Sequence, residues 1–150
     1  MDKKQKVIPI GSDHGGFEMK LFLIEKLSNE GFEFKDYGTF SEDSVDYPDF
    51  IHPVAKAVND GEYKKGIVIC GSGQGANMTA NKYSKIRSAL CWNLEQTELT
   101  RLHNDANIMA IPGRFIEFGL AMEMVKKFFS VDFEGGRHNN RIVKIPLTNN

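Results

Sequence analysis

Residues 66–75 read Gly66-Ile67-Val68-Ile69-Cys70-Gly71-Ser72-Gly73-Gln74-Gly75. Ile67, Val68 and Ile69 form an apolar run too short for a helix and bounded by glycine. Such a run is the mark of a strand buried on both faces of a parallel sheet. The glycines that follow turn the chain into a short helix, expected to reach about Tyr83. Residues 66–83 are thus one βα unit, and reading outward finds four more. Upstream, residues 6–10 form an apolar strand. Phe17, Leu21, Ile24 and Leu27 then recur at helical spacing until about Gly31. Residues 32–37 read as a second strand. A loop holding Asp46, Tyr47 and Pro48 leads to a helix marked by Ile51, Val54, Ala55 and Val58. Downstream, residues 86–92 give a fourth strand, 94–103 a fourth helix and 106–111 a fifth strand. Leu120, Ala121, Met124, Val125 and Phe128 mark a last long helix. A tail from Val131 carries Gly135-Gly136-Arg137-His138-Asn139-Asn140-Arg141.

Five βα units imply an α/β chain: a three-layer, Rossmann-like fold with a five-stranded parallel sheet flanked by helices. The crossovers are expected to be right-handed. No repeat, linker or low-complexity stretch divides the chain, and 150 residues suit one domain spanning 1–150. Pro9 cannot donate to a ladder, so its end of the first strand should lie at a sheet edge or beside a bulge.

The bulk composition excludes several classes. The net charge of −1 offers no whole-chain attraction to nucleic acid or an anionic membrane. No apolar run approaches the ~20 residues of a membrane span, and the polar start, Met1 to Lys6, lacks a secretory signal pattern. The two cysteines, Cys70 and Cys91, are too far apart for a redox pair, which points to free thiols and a cytoplasmic setting. The four histidines show no metal-ligand spacing, so neither metal nor cofactor is expected.

Ligands of open parallel sheets bind beyond the carboxyl ends of the strands. Asp13 and His14 follow strand one, Cys70 and the glycine loop follow strand three, Asn93 follows strand four, and Arg114 follows strand five. Taken singly, each has an ordinary reading. Gly71, Gly73 and Gly75 fit either a tight turn or an anion-holding nest of N–H groups. The loop is neither a Walker motif nor a dinucleotide fingerprint. Cys70 fits either a small core residue or a thiol activated by a helix start. Cys91 reads as core. His103, before Asn104 and Asp105, fits a helix end. Asp13 fits an N-cap, and Tyr47 plain packing. Arg137, His138 and Arg141 are either a solvated tail or a phosphate clamp. The joint pattern favours chemistry on a small anion.

The joint pattern resembles the ribose-5-phosphate isomerase B family, which includes galactose- and allose-6-phosphate isomerases. The likeness rests on Gly11-Ser12-Asp13-His14-Gly15-Gly16, Asp46-Tyr47-Pro48, Cys70 with its glycine loop, and Asn81-Lys82 with Ile86-Arg87. It continues through His103-Asn104-Asp105-Ala106-Asn107, Gly113-Arg114 and residues 134–141. It implies an aldose–ketose isomerase working through a cis-enediolate, with ribose 5-phosphate as substrate. Cys70 would move the proton between C2 and C1, Ser72 would position it, and the N–H groups of Gly71, Gly73 and Gly75 would hold the enediolate oxygen. His103 would assist ring opening, Asp13 would contact the sugar's hydroxyls, and Asn104 would support the intermediate. His14, Arg137 and Arg141, with His138 and Arg114, would bind phosphate, with Tyr47 beside the sugar. Some members place a glutamate six residues beyond the cysteine position; Ala76 stands there, which implies the cysteine chemistry. The family's site lies between subunits, so a homodimer or homotetramer with shared sites is expected, its tail (about 131–150) reaching a neighbour. Gln74 and Asn77 depart from the family's usual residues near the nest, and they keep hexose 6-phosphates open as alternative substrates.

The chemistry is consistent with that expectation. Removing a proton beside a carbonyl needs a positioned base, worth ~10²–10⁴-fold, and oxyanion donors, roughly 10²–10³-fold each. Cys70 and the adjacent loop supply both types of group, and a histidine suits proton exchange near neutral pH. A non-catalytic phosphosugar sensor would need no thiol base, and a dinucleotide-binding module would need a glycine fingerprint after strand one.

Overall fold

The computed structural model describes residues 5–147. Met1–Lys4 of the polar start and residues 148–150 of the tail lie outside the described residues. β1 (Val7–Ser12), β2 (Glu33–Asp36), β3 (Gly66–Cys70), β4 (Ser88–Leu90) and β5 (Ile108–Pro112) alternate with α1 (Phe17–Ser28), α2 (Tyr47–Asn59), α3 (Gln74–Ala80), α4 (Leu94–Asn104) and α5 (Phe118–Ser130). A short α6 (His138–Ile142) lies in the tail, where sequence reading placed no element. All strand pairs are parallel, in the order β2-β1-β3-β5-β4.

Burial follows the two-residue period of the strands on both faces. Ile67 and Ile69 of β3, with Met109 and Ile111 of β5, meet α1 and α5 through Met19, Leu23, Leu27, Met124, Val125 and Phe128. Val68 and Cys70, with Ile108 and Ala110, face α2 and α3 through Ile51, Val54, Val58, Ala76 and Ala80. Two apolar layers therefore cover one sheet, which is why β3 reads as an unbroken apolar run. α4 packs on α5. Cys91 is fully buried in the first layer, and burial pushes its thiol up to about 12.

Two local expectations need correction. β1 is not an edge strand; it pairs with both β2 and β3. The carbonyls of Lys6 and Ile10 accept from β2, so Pro9, between them in register, turns its missing N–H toward β3. The β1–β3 register begins only at Ile10, so Pro9 is accommodated one residue outside that ladder. Tyr47 and Pro48 do not lie in a loop: Asp46 is the N-cap of α2, Tyr47 opens it, and Pro48 occupies the first turn, where its lost N–H is an orphan anyway.

Lys20 is a buried cation that no periodicity argument would place inside. Its ammonium is fully buried, 2.6 Å from Asp36 Oδ1 and 2.5 Å from the Thr39 carbonyl. Burial holds its pKa below the usual lysine value, and Asp36 offsets part of that. This pair ties α1 to the end of β2. Removing one partner of a buried pair typically costs ~3–5 kcal/mol, more than replacing the buried charge with an apolar group of like volume. Asp36→Ala should therefore lower the urea midpoint well beyond Lys20→Met. Equal midpoints would show that the pair does not govern this contact.

Candidate functional site

The strand order reverses direction between β1 and β3, which opens a crevice at their carboxyl ends. The residues just past those ends meet there. The Asp13 N–H donates to the Ile69 carbonyl at 3.3 Å. Asp13 Oδ1 accepts from Gly16 N–H at 3.1 Å, capping the 3₁₀ turn His14–Gly16. That turn brings Gly15 against Gly71, where a Cβ on Gly15 would lie 3.1 Å from Gly71 N. His14 Nδ1 accepts from Val45 N–H at 3.2 Å and so fixes its ring against the loop before α2.

From the other flank, the Gly113 and Arg114 N–H groups donate to the carbonyls of Cys70 (2.9 Å) and Gly71 (3.0 Å). The half-buried Gly71 lies under Arg114, whose Nη1 would be 3.1 Å from a Cβ there. Gly73 has φ 74 and caps α3, a backbone shape that disfavours any Cβ. Tyr47, at the start of α2, lays its ring on Gly75: a Cβ there would meet the ring within van der Waals distance, 2.8 Å from the hydroxyl. Ser72 is exposed, and its Oγ accepts from Gln74 N–H at 3.3 Å. Cys70 is buried beneath this loop. One rim thus gathers Asp13, His14, Tyr47, Cys70, the glycine loop and Arg114. Asn93, also expected there, is occupied as the α4 N-cap, accepting from Gln96 N–H at 2.7 Å.

The remaining candidates lie elsewhere. α4 leaves the carboxyl end of β4 and runs back, so His103 and Asn104 close it at the amino ends of the strands. There, the Asn107 N–H donates to the Arg87 carbonyl and the Asn107 carbonyl accepts from Gly66 N–H, both at 2.9 Å. Cys70 is at the far end of β3 from Gly66, four strand rises or ~13 Å away. His138 joins the lower group, its ring stacked on His103 at 4.5 Å between centroids and 19° between planes. Arg137 and Arg141 flank it, both exposed and without an ion pair among the described residues.

Glu134 completes a trio that no sequence spacing announced. Ligand atoms of His103, Glu134 and His138 lie within 4.8 Å of one another. His138 Nε2 is 3.5 Å from Glu134 Oε2, outside hydrogen-bond geometry. Stacked, nearly parallel imidazoles send their lone pairs along parallel planes instead of to one point. Arg87 is the other residue that motif reading left without a role. Its guanidinium donates to the carbonyls of Asn104 (3.0 Å) and Asp105 (3.1 Å), and so holds the turn behind His103 in place.

A reversed parallel sheet with a glycine nest, a buried thiol and several cations defines a class: an α/β protein built to work on a small anionic substrate. The Ribose/Galactose Isomerase family model matches residues 8–145, and the chain belongs to that family. Ribose-5-phosphate isomerase B of Escherichia coli is 39% identical over 140 residues, covering 93% of this chain and 94% of that one. A ribose 5-phosphate isomerase from Thermotoga maritima superposes with a TM-score of 0.91 at 43% identity, over 96% and 99% of the two chains. The enzyme from Mycoplasma genitalium, solved with bound ribulose-5-phosphate, gives 0.89 at 36% identity over 95% of each.

The loop geometry separates two substitutions. A Cβ at Gly73 would lie 2.6 Å from Leu90 Cδ1 and 3.0 Å from Pro112 N, at a positive φ. Gly73→Ala should cost at least ~1 kcal/mol in urea unfolding. At Gly75 the nearest atoms all belong to the Tyr47 ring, a flexible side chain 38% exposed. Gly75→Ala should keep most of the stability while changing Tyr47 fluorescence. Equal stability losses would show that the ring cannot move.

Proposed function

We propose that this chain interconverts ribose 5-phosphate and ribulose 5-phosphate through a cis-enediolate, with each active site assembled from two copies of the chain. The observation that carries this is the division of the candidate residues between opposite ends of one sheet. The carboxyl end holds a buried thiol under an N–H-rich loop. The amino end holds paired histidines and exposed arginines. Among the candidates, His103, His138 and the two tail arginines are all at the end away from Cys70, so one copy alone does not bring them to the thiol.

In this reading, Cys70 takes the proton from C2 and returns it to C1. N–H groups of the 71–75 loop face the oxygen that gains charge, aimed before the reaction begins. Ser72 and Asp13 orient the thiol and the sugar hydroxyls. His103 of a second copy, stacked on His138, exchanges the proton that opens the ring, with Asn104 beside it. His14 and Arg114 from one copy and Arg137, His138 and Arg141 from the other hold the phosphate, which fixes the reacting carbons at the thiol. Tyr47 lines the sugar. The second copy places residues 131–147 of the tail across the site. Proton transfer of this kind calls on the chain's own side chains, and the reading assigns no cofactor. The free thiols agree with a reducing, cytoplasmic setting, and among the described residues no helix is long and apolar enough to cross a membrane.

Asn77 keeps the hexose 6-phosphates in the substrate survey, because its Oδ1, one turn into α3, is buried with no hydrogen-bond partner among the described residues. Allose and galactose 6-phosphate should turn over more slowly than ribose 5-phosphate. The reverse order would reassign the natural sugar and leave the mechanism intact.

Ribose 5-phosphate mixed with the chain should yield ketose, and Cys70→Ala should lose at least ~10²-fold of that rate while keeping its fold. Near-normal turnover in that variant would remove Cys70 as the base. His103→Asn should be similarly impaired. Mixing the two inactive variants under subunit exchange should restore about a quarter of wild-type activity, since half the dimers then carry one intact site. No recovery despite demonstrated exchange would overturn the shared site.

A further inference from the structure

A cleft of about 850 Å³ opens at the amino end of the sheet, beside the last turns of α4. Apart from Arg87, which holds the turn behind His103, and Asp132 and Phe133 at the start of the tail, its lining residues have no part in the isomerase site described above. Lys64, Lys65, Arg87 and Arg101 contribute four positive charges to its wall, against Asp105 and Asp132. The two arginines are already engaged: Arg101 Nη1 lies 2.9 Å from Asp105 Oδ1, and Arg87 Nη2 lies 3.3 Å from Asp105 Oδ2. Arg101 also donates to the carbonyls of Val131 and Ala106, so its plane is fixed.

Lys65 is different. Its backbone is tied down by Gln5, whose side chain accepts from Lys65 N–H at 2.9 Å and donates to its carbonyl at 2.8 Å. Its ammonium lies 5.7 Å from the centre of the Phe129 ring and has no carboxylate partner within ion-pair range among the described residues. Burial, and then the Arg101 guanidinium, push this group down to about 8; Asp132 and Asp105 pull it upward, and Lys64 adds to the depression. A cation held in a cleft, short of counter-charge and beside two fixed guanidiniums, is a place where an anion stabilises the cations more than it repels Asp105 and Asp132. The volume suits a small metabolite. Val58, Tyr63, Phe129 and Phe133 add apolar surface to the lining, with the Phe129 ring beside the Lys65 ammonium.

We propose that this cleft is a second anion site, which takes the phosphate of a small phosphorylated metabolite between Lys65, Lys64 and the Arg87–Arg101 pair, with the metabolite's apolar part against Phe129 and Tyr63. The site stands apart from the sugar-phosphate site and does not depend on the isomerase reading. It does have a mechanical connection to it. Asp105, gripped by both arginines, lies two residues beyond His103, so occupation of the cleft is felt at the last turn of α4.

Sulfate serves as the probe, because it shares the geometry of a phosphate dianion and has no proton to exchange near pH 8. The Lys65 side chain is titrated by carbon NMR in sulfate and in chloride at equal ionic strength. In chloride the midpoint should fall near about 8. In sulfate it should rise by about one unit, the signature of an anion that binds the protonated form ~10-fold tighter. Sulfate should also move the amide signals of Lys64, Asp105 and Phe129. Lys65→Met should abolish those amide shifts and leave ribose 5-phosphate turnover unchanged. Identical midpoints in the two salts would overturn the proposal. So would amide shifts that survive Lys65→Met but vanish in Arg137→Ala, because the anion would then occupy the sugar-phosphate site.

Discussion

The parallel pairing of β3 with β1 on one side and β5 on the other is the constraint on which the molecule rests. It buries β3 on both faces, so its side chains must be apolar and its backbone groups must all be spent in the ladders. Because β1 and β3 are neighbours while their following connections diverge, their carboxyl ends open onto one crevice. The Asp13 N–H to Ile69 carbonyl bond is the last rung of that pairing, and the Gly113 and Arg114 bonds to Cys70 and Gly71 continue it on the β5 side. Each group that reaches the crevice does so from a strand end that the ladder has already fixed. That rigidity positions a thiol and a set of N–H donors without a flexible loop to order.

The same sheet also sets what a single chain cannot do. Every helix after a parallel strand returns to the opposite end, so the last turn of α4 is a strand length from the thiol by construction. Arg87, Asp105 and Asn107 reinforce this. Asn107 Oδ1 accepts from Arg87 N–H at 2.7 Å, and the Arg87 guanidinium grips the turn that carries Asn104. His103 is held at the amino end as firmly as Cys70 is held at the carboxyl end. A site that uses both must be closed by another copy, and the exposed Arg137 and Arg141 beside stacked His103 and His138 are the surface such a copy would present.

Charge inside the fold is handled in two ways. Lys20 is matched to Asp36 and a carbonyl, and the pair serves packing at the edge of the sheet. Lys65 is only partly compensated and lies beside arginines already engaged with Asp105. The first arrangement closes a local hydrogen-bond account within the fold; the second leaves positive potential facing solvent in a cleft.

Much of this was legible in the residues themselves. Alternating apolar runs and helical stripes determined five βα units and the three-layer sheet, because burial on both faces demands the pattern seen at residues 67–69. The gathering of candidate residues at strand ends was visible for the same reason, since chain order alone places Asp13, Cys70 and Arg114 at or just beyond carboxyl ends. The α2 start at Tyr47 was obscured by Pro48, which reads as loop yet fits a first helical turn. α6 was hidden by a tail with no apolar period. The tertiary structure alone decided that β4 lies outside β5, that Pro9 sits at a ladder margin in an interior strand, and that Lys20 and Lys65 are drawn inward. It also decided that His103 and His138 stack far from Cys70. The physical reason is that periodicity reports which face of an element is buried. Only the packing of elements against one another reports which distant residues share an end of the sheet.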